Sequence, residues 1–237
     1  MTLTRPTLLL TRPEDAARRF LGQLDPALVA QSAVCISPLI RIVPRTDPVE
    51  TGTARGLIFT SANAVRAAEH VFIGRDLPAY CVGGATASAA RQAGWIAHQI
   101  GPDADALVVG LIRERPDGPL VHLRGRHARG DIAQRLTACD LPTREHVIYD
   151  QIALPLSSEA LRFLDNPGPK IAPVFSPRTA CLLADATDRP LVLAALSPAV
   201  AGAFGDRPGC TIHIAASPDA RSMGALVEKL MQSALSG

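Results

Sequence analysis

The stretch APVFSPRTA at 172–180 carries the pattern that decides the fold. An apolar run ends at Ser176, Pro177 follows at once, and a helix can begin there. Serine is a preferred helix N-cap, and proline at the first helical position gives up only an N–H that has no intrahelical partner. The nine residues read as a strand feeding directly into a helix. Related junctions recur as TRPEDA (11–16), TSANAV (60–65), VGGATA (82–87), LSPAVA (196–201) and ASPDAR (216–221). Further apolar runs are TLLLT (7–11), GLIFT (56–60), AYCVG (79–83), PLVHLRG (119–125), HVIYDQI (146–152), PLVLAALS (190–197) and CTIHIAAS (210–217). Continuous runs of this kind suit strands covered on both faces, so mainly parallel sheets flanked by helices are expected. Ala17, Phe20, Leu21 and Leu24 follow helical spacing, as do Met223, Leu226, Val227, Leu230 and Met231, with weaker versions at 104–112 and 131–138. The fold class is α/β.

The junctions occur before residue 90 and again after 175, which points to two similar modules. Extended, proline-bearing segments, SPLIRIVPRTDP (37–48) and VIYDQIALPLS (147–157), flank the middle of the chain. The expected organisation is an inserted α/β domain at 43–148 within a discontinuous α/β domain made of 1–37 and 155–237. Residues 38–42 and 149–154 would form a two-stranded connector. In parallel α/β sheets such junctions lie at the carboxyl ends of the strands, where each helix start presents free amides and a partial positive charge. Ser-Pro as helix-start grammar explains any one junction, but six in one chain suggest a ligand with several negative groups.

Composition narrows the partners. The chain has 237 residues, with 24 Lys+Arg against 22 Asp+Glu, so its charge of +2 gives no reason to expect nucleic acid or an anionic membrane. Aromatic residues make up 4%, too few for the stacking platforms of a single-strand nucleic-acid binder. Five scattered cysteines without a CxxC read as reduced thiols of a cytoplasmic protein. The run Leu8 to Leu10 is broken too soon for a signal-peptide core, and Ser197 and Pro198 interrupt the most apolar window, Leu191 to Phe204. A soluble protein is expected. Neither a GxxxxGK[ST] loop nor a GxSxG elbow is present, and GGATA at 83–87 lacks the third glycine of a dinucleotide fingerprint. The six histidines show no metal-ligand spacing, and His122 and His213, within strand patterns, read as hydrogen-bonded structural residues. Catalysis here would need neither metal nor nucleotide and would rest on positioning and electrostatics.

Taken in order, the blocks LLLTRPE (8–14), LIFTSANAV (57–65), VGGATASAARQAG (82–94), LRGRHARGDIAQRL (123–136), VIYDQ (147–151), VFSPRTA (174–180), LSPAVAGAF (196–204) and ASPDARSMGALVEKL (216–230) resemble the uroporphyrinogen-III synthase family. The resemblance implies two α/β domains with a two-stranded connector. It implies a cofactor-free lyase that closes linear hydroxymethylbilane to uroporphyrinogen III, losing water and inverting the terminal pyrrole ring. The substrate carries an acetate and a propionate on every pyrrole, which matches the polyanion inferred above. Loss of hydroxyl would give an azafulvene, and closure would pass through a spiro intermediate.

By the same resemblance Tyr149 assists departure of the hydroxyl, with packing in the connector as the alternative. Thr60, Ser61, Asn63, Gly84, Thr86, Arg129, Ser176 and Ser197 are the corresponding substrate-binding candidates, with a solvated helix-start arginine as the alternative for Arg129. The chain departs from the family pattern at 196–201, where Ala199 and Val200 replace hydroxyl residues and leave the contact to backbone amides or Ser197. No cofactor and no metal are expected, and a monomer is. The resemblance also raises a transient contact with hydroxymethylbilane synthase. The competing reading is a non-catalytic two-domain protein that binds an anion or a tetrapyrrole.

Overall fold

The computed structural model describes residues 5–71, 75–127 and 130–236. The chain divides into two compact units, Met1–Arg41 with Ala153–Gly237, and Ile42–Ile152. Along the chain the elements are β1 (Thr7–Leu10), α1 (Glu14–Leu21), α2 (Pro26–Ala30), β2 (Ala33–Ile36), β3 (Ile40–Pro44), β4 (Gly56–Phe59), α3 (Ala62–Val71) and β5 (Ala79–Val82). Then follow α4 (Gly83–Gln92), β6 (Ala97–Gly101), α5 (Ala104–Glu114), β7 (Leu120–Gly125), α6 (Ile132–Thr137), β8 (Thr143–Ala153) and α7 (Ser158–Asp165). The chain closes with β9 (Lys170–Val174), α8 (Pro177–Ala186), β10 (Val192–Ala195), α9 (Pro198–Phe204), β11 (Thr211–Ile214) and α10 (Ala220–Ser236).

The discontinuous unit holds a five-stranded sheet in the order β11-β10-β9-β1-β2, parallel at each junction. Its central strands β1, β9 and β10 are buried on both faces, as their apolar runs require, whereas the edge strand β11, also expected as a buried run, is largely exposed. Leu8 and Leu10 pack with α1 and α10 in one core, while Leu9 packs with α8 and α9 in another. The helical spacing of Met223, Val227 and Met231 marks the buried face of α10, with Leu226 and Leu230 half-buried beside it.

The continuous unit holds a six-stranded sheet in the order β3-β8-β7-β4-β5-β6, with parallel pairing from β8 through β6. The amide of Leu154 donates to the carbonyl of Leu39, and that of Arg45 to Ile148, so β3 and β8 run in opposite directions. One face is covered by α3 and α4, through Ala64, Val65, Ala87 and Ala90, and the other by α5 and α6, through Leu107, Leu111, Ile132 and Leu136.

Both sheets reverse their winding once. The discontinuous unit adds β2 on one side of β1 and then β9 to β11 on the other; the continuous unit adds β5 and β6 beside β4 and then β7 and β8 beyond it. The helices after the two strands at each reversal lie on opposite faces, which opens a crevice at the carboxyl ends.

Helices do start at all six junctions, but the caps differ from the expected pattern. Ser176 caps α8, its Oγ accepting from the Thr179 amide at 3.2 Å. Ser197 occupies the cap position of α9 without a side-chain cap bond. At TRPEDA the N-cap is Pro13, not Thr11, and at ASPDAR the helix begins two residues beyond Pro218, with Asp219 Oδ1 accepting from the Ser222 amide at 2.8 Å. The carboxylate nearer the helix displaces Ser217 because it reaches a first-turn amide directly. Gly83 turns from β5 into α4 at φ 68°, a left-handed conformation that favours glycine. Edge strands β2 and β6 were not among the expected runs; β6, AHQIG, keeps polar, exposed residues, whereas β2, AVCI, is a four-residue apolar run. All five cysteines are free, and burial pushes the Cys35 and Cys81 thiols up to about 11.

Candidate active site

In the continuous unit the winding reverses between β4 and β7, and most of the sequence-derived candidates gather along that carboxyl edge. Thr60 and Ser61 follow β4, and Asn63 lies in the first turn of α3. Gly84 is the second residue of α4, after β5, and Tyr149 lies on β8. Tyr149 reaches Ser61, Oη to Oγ at 3.2 Å, across a sequence separation of 88. Ser61 Oγ also accepts the Ala64 amide at 3.2 Å, so the hydroxyl that caps α3 touches the phenol.

A local irregularity aims Tyr149. Arg124 pairs with Val147, but Gly125 pairs with Tyr149, so β8 carries an extra residue, Ile148, in a β-bulge. The insertion turns Tyr149 onto the face lined by Phe59, Leu123 and α3. Its ring lies directly on Gly125: a Cβ at that glycine would come within 2.5 Å of Tyr149 Cε2 and Cζ and 2.8 Å of Oη. Only a glycine admits the ring. The Tyr149 carbonyl accepts the Arg126 amide at 3.0 Å. The next residue, Asp150, is gripped by Arg126 Nε at 2.6 Å and Arg45 Nε at 3.2 Å. The Arg126 guanidinium first, then Arg45, holds the Asp150 carboxyl below its usual range.

Burial raises the Tyr149 pKa, while the Ser61 hydroxyl, the Arg66 charge and the Gly125 backbone pull it back. The phenol is therefore protonated at neutral pH, and the groups around it stabilise the phenolate that a proton transfer would leave. Arg66 also donates to Asn63 Oδ1 at 2.6 Å.

A second polar line crosses the same reversal on the opposite face. His122 is 1% exposed on β7, with Nε2 3.4 Å from Thr60 Oγ1 on one side and Nδ1 3.5 Å from Glu145 Oε1 on the other. Glu145 Oε2 accepts from Arg124 Nε at 2.7 Å. Desolvation drives the His122 pKa down, so the ring is neutral. The expectation of a hydrogen-bonded strand histidine holds for His122, whereas His213 lies exposed on edge strand β11.

The other candidates are placed differently. Thr86 is almost wholly buried within α4. Ser176 and Ser197 belong to the discontinuous unit, at the carboxyl ends of the adjacent strands β9 and β10. Ser176 follows the strand at that unit's own reversal and shares a 2.8 Å hydrogen bond with Thr179. Beside it the Arg12 guanidinium stacks 3.9 Å from the centre of the Phe175 ring. Arg129 lies outside the described residues. Sequence reasoning missed Gly125, Arg66, Arg126 and Glu145; a glycine closing an otherwise apolar strand was the one available signal, marking close backbone approach. Among the described residues no group of three or more His, Cys, Asp or Glu is placed to hold a metal ion.

Two doubly wound, mainly parallel α/β units, one of which gathers a protonated phenol and polar side chains at its strand-order reversal, define a two-domain α/β protein. The family model of uroporphyrinogen-III synthase HemD matches residues 27–225. The chain belongs to the uroporphyrinogen-III synthase family, and with it to the cyclising hydro-lyases of tetrapyrrole biosynthesis. The crystal structure of uroporphyrinogen-III synthetase from Helicobacter pylori 26695 shares its fold at 14% identity, with a TM-score of 0.69, covering 95% of this chain and 99% of that one. A mutant uroporphyrinogen III synthase from the extremely thermophilic bacterium Thermus thermophilus matches at 13% identity and a TM-score of 0.53, covering 96% and 99%. No curated protein sequence matches this chain. Among the described residues no helix is long and apolar enough to cross a membrane.

Proposed function

We propose that this protein closes hydroxymethylbilane to uroporphyrinogen III, with Tyr149 as the group that assists departure of the terminal hydroxyl. The observation that carries the assignment is the buried Tyr149 phenol, held against Ser61 at 3.2 Å beside the β4/β7 reversal. A buried phenol can deliver a proton to a leaving hydroxyl, and Arg66, Ser61 and the Gly125 backbone lower the cost of the phenolate that remains. The electron-rich pyrrole itself expels the hydroxyl and becomes an electrophilic azafulvene, so proton delivery assists a bond already weakened. Without the enzyme the azafulvene closes directly to the other isomer, so the site must hold the terminal ring for attack at its substituted carbon.

The substrate carboxylates fall to the helix starts, with Ser61, Asn63, Gly84 and Thr86 in the continuous unit and Ser176 and Ser197 in the discontinuous one; Arg129 joins them by family resemblance alone. Thr60 lies at the same edge. Ser197, which makes no side-chain cap bond, takes the place of the hydroxyls absent at Ala199 and Val200. The chain passes between its two units at Arg41/Ile42 and Ile152/Ala153, within segments 38–42 and 149–154, which supports reading these as the connector between 43–148 and the flanking domain. A cytoplasmic monomer that receives its unstable substrate from hydroxymethylbilane synthase completes the proposal.

The test supplies hydroxymethylbilane to purified protein and resolves the porphyrin isomers after oxidation. Isomer III is expected from the native chain, and Tyr149→Phe should lose roughly 100-fold in turnover, the usual contribution of one positioned proton donor. Isomer I alone, at the spontaneous rate, would sink the enzymatic reading in favour of a binding protein. Unchanged kinetics in a folded Tyr149→Phe would reassign Tyr149 to packing.

A further inference from the structure

The line Glu145–His122–Thr60 spans three neighbouring strands, β8, β7 and β4, and ends at the site edge. Its polarity follows from the chemistry of its outer end. Glu145 is a carboxylate already accepting from Arg124, and an ionised carboxylate can only accept. The His122 nitrogen facing it is Nδ1, 3.5 Å away and outside close hydrogen-bond geometry, and with that carboxylate as its polar neighbour Nδ1 carries the ring proton. A neutral imidazole has one proton, so Nε2 is left as an acceptor, and among the described residues the donor within reach of it is the Thr60 hydroxyl at 3.4 Å. Once that hydroxyl proton is committed to His122, Thr60 Oγ1 offers lone pairs alone.

We propose that His122 is a positioning residue that fixes Thr60 as a hydrogen-bond acceptor, so that Thr60 receives an N–H or O–H donor of the substrate, such as a pyrrole N–H, and not one of its carboxylates. The inference rests on the functional reading above and divides the edge by polarity. Helix-start amides face the anionic groups, while Thr60 faces a neutral donor of the tetrapyrrole. The charged groups beside the ring are Glu145 and Arg124, and its burial keeps it neutral, so the polarity of Thr60 holds across the neutral pH range.

The deciding measurement is nitrogen NMR of the full chain with ¹⁵N-labelled histidine, the His122 signals being assigned by their loss in His122→Gln. The neutral Nδ1–H tautomer is expected, both in the free protein and with uroporphyrin III, the oxidised product, bound. In Glu145→Leu the tautomer should switch to Nε2–H, the form an isolated imidazole prefers. An Nε2–H ring in the native protein, or a switch to it when the porphyrin binds, overturns the proposal, because Thr60 would then be donating to the ligand. Turnover supplies the second readout. Thr60→Val and His122→Leu should each lower kcat/KM by about tenfold, the value of one hydrogen bond, and the double variant should lose no more than either. His122→Gln, whose amide oxygen still accepts, should lose less than His122→Leu. Independent, multiplying losses would refute the relay. Should His122→Leu fail to fold, the tautomer of the native chain and of Glu145→Leu decides alone. If the native chain makes no uroporphyrinogen III, the functional reading fails, while the tautomer still reports on the relay.

Discussion

Replacing Gly125 by alanine adds one methyl group at the point where the structure has least room for it. The new Cβ would come 2.5 Å from two carbons of the Tyr149 ring, where ordinary contact needs about 3.5–4.0 Å. The neighbour that must yield is a buried ring, 5% exposed and packed among Phe59, Leu123 and α3, not the end of a flexible side chain. Overpacking of that kind typically costs about 1–3 kcal/mol. The displaced ring must also leave Ser61, so activity should fall at least as far as in Tyr149→Phe. The assay combines urea denaturation with the isomer-resolved turnover measurement. A double-mutant cycle isolates the cause: in a Tyr149→Ala background the ring is gone, and Gly125→Ala should cost no more than about 0.5 kcal/mol. If the cost is the same in both backgrounds, the close approach to Tyr149 is not the reason glycine stands there, and the account of how the phenol is aimed is wrong.

Two further outcomes follow from single contacts. Ser176→Ala removes the cap of α8 and should cost about 1 kcal/mol in urea denaturation, whereas Ser197→Ala, which breaks no cap bond, should stay within about 0.5 kcal/mol; equal losses would refute the distinction. The folded-state pKa of His122 is depressed to about 4, so the unfolded chain binds the extra proton below about 6.5. The stability that neutral His122 contributes is therefore complete above that value and is lost as pH falls toward 4, by about 1–2 kcal/mol at pH 5. Unfolding midpoints measured from pH 7 to 5 in native and His122→Gln protein check this, and parallel slopes would contradict it.

The apolar runs and the helix-period segments were enough to specify the α/β class, because burial on both sheet faces writes itself into consecutive residues and a helix face into its period. The junctions likewise located the carboxyl edge, since capping is a contact between residues three apart, as in Ser61 with Ala64 and Ser176 with Thr179. Where two local devices competed, tertiary context chose. At 216–221 Asp219 caps α10 in place of Ser217, and at 11–16 the helix starts behind Pro13. Edge strand β6 carried no run because a sheet margin imposes no need for one. The site itself depended on register. The bulge at Ile148 brings Tyr149 opposite Gly125, and the strand order places Thr60 beside His122, a partner 62 residues away. Spacing along the chain cannot encode such pairings, because neighbouring strands are free to slide until cores on both faces fix them. Resemblance to a family could name Tyr149 and Ser61, but only the folded sheet shows what holds the phenol, what aims it, and that Thr60 stands beside a buried histidine.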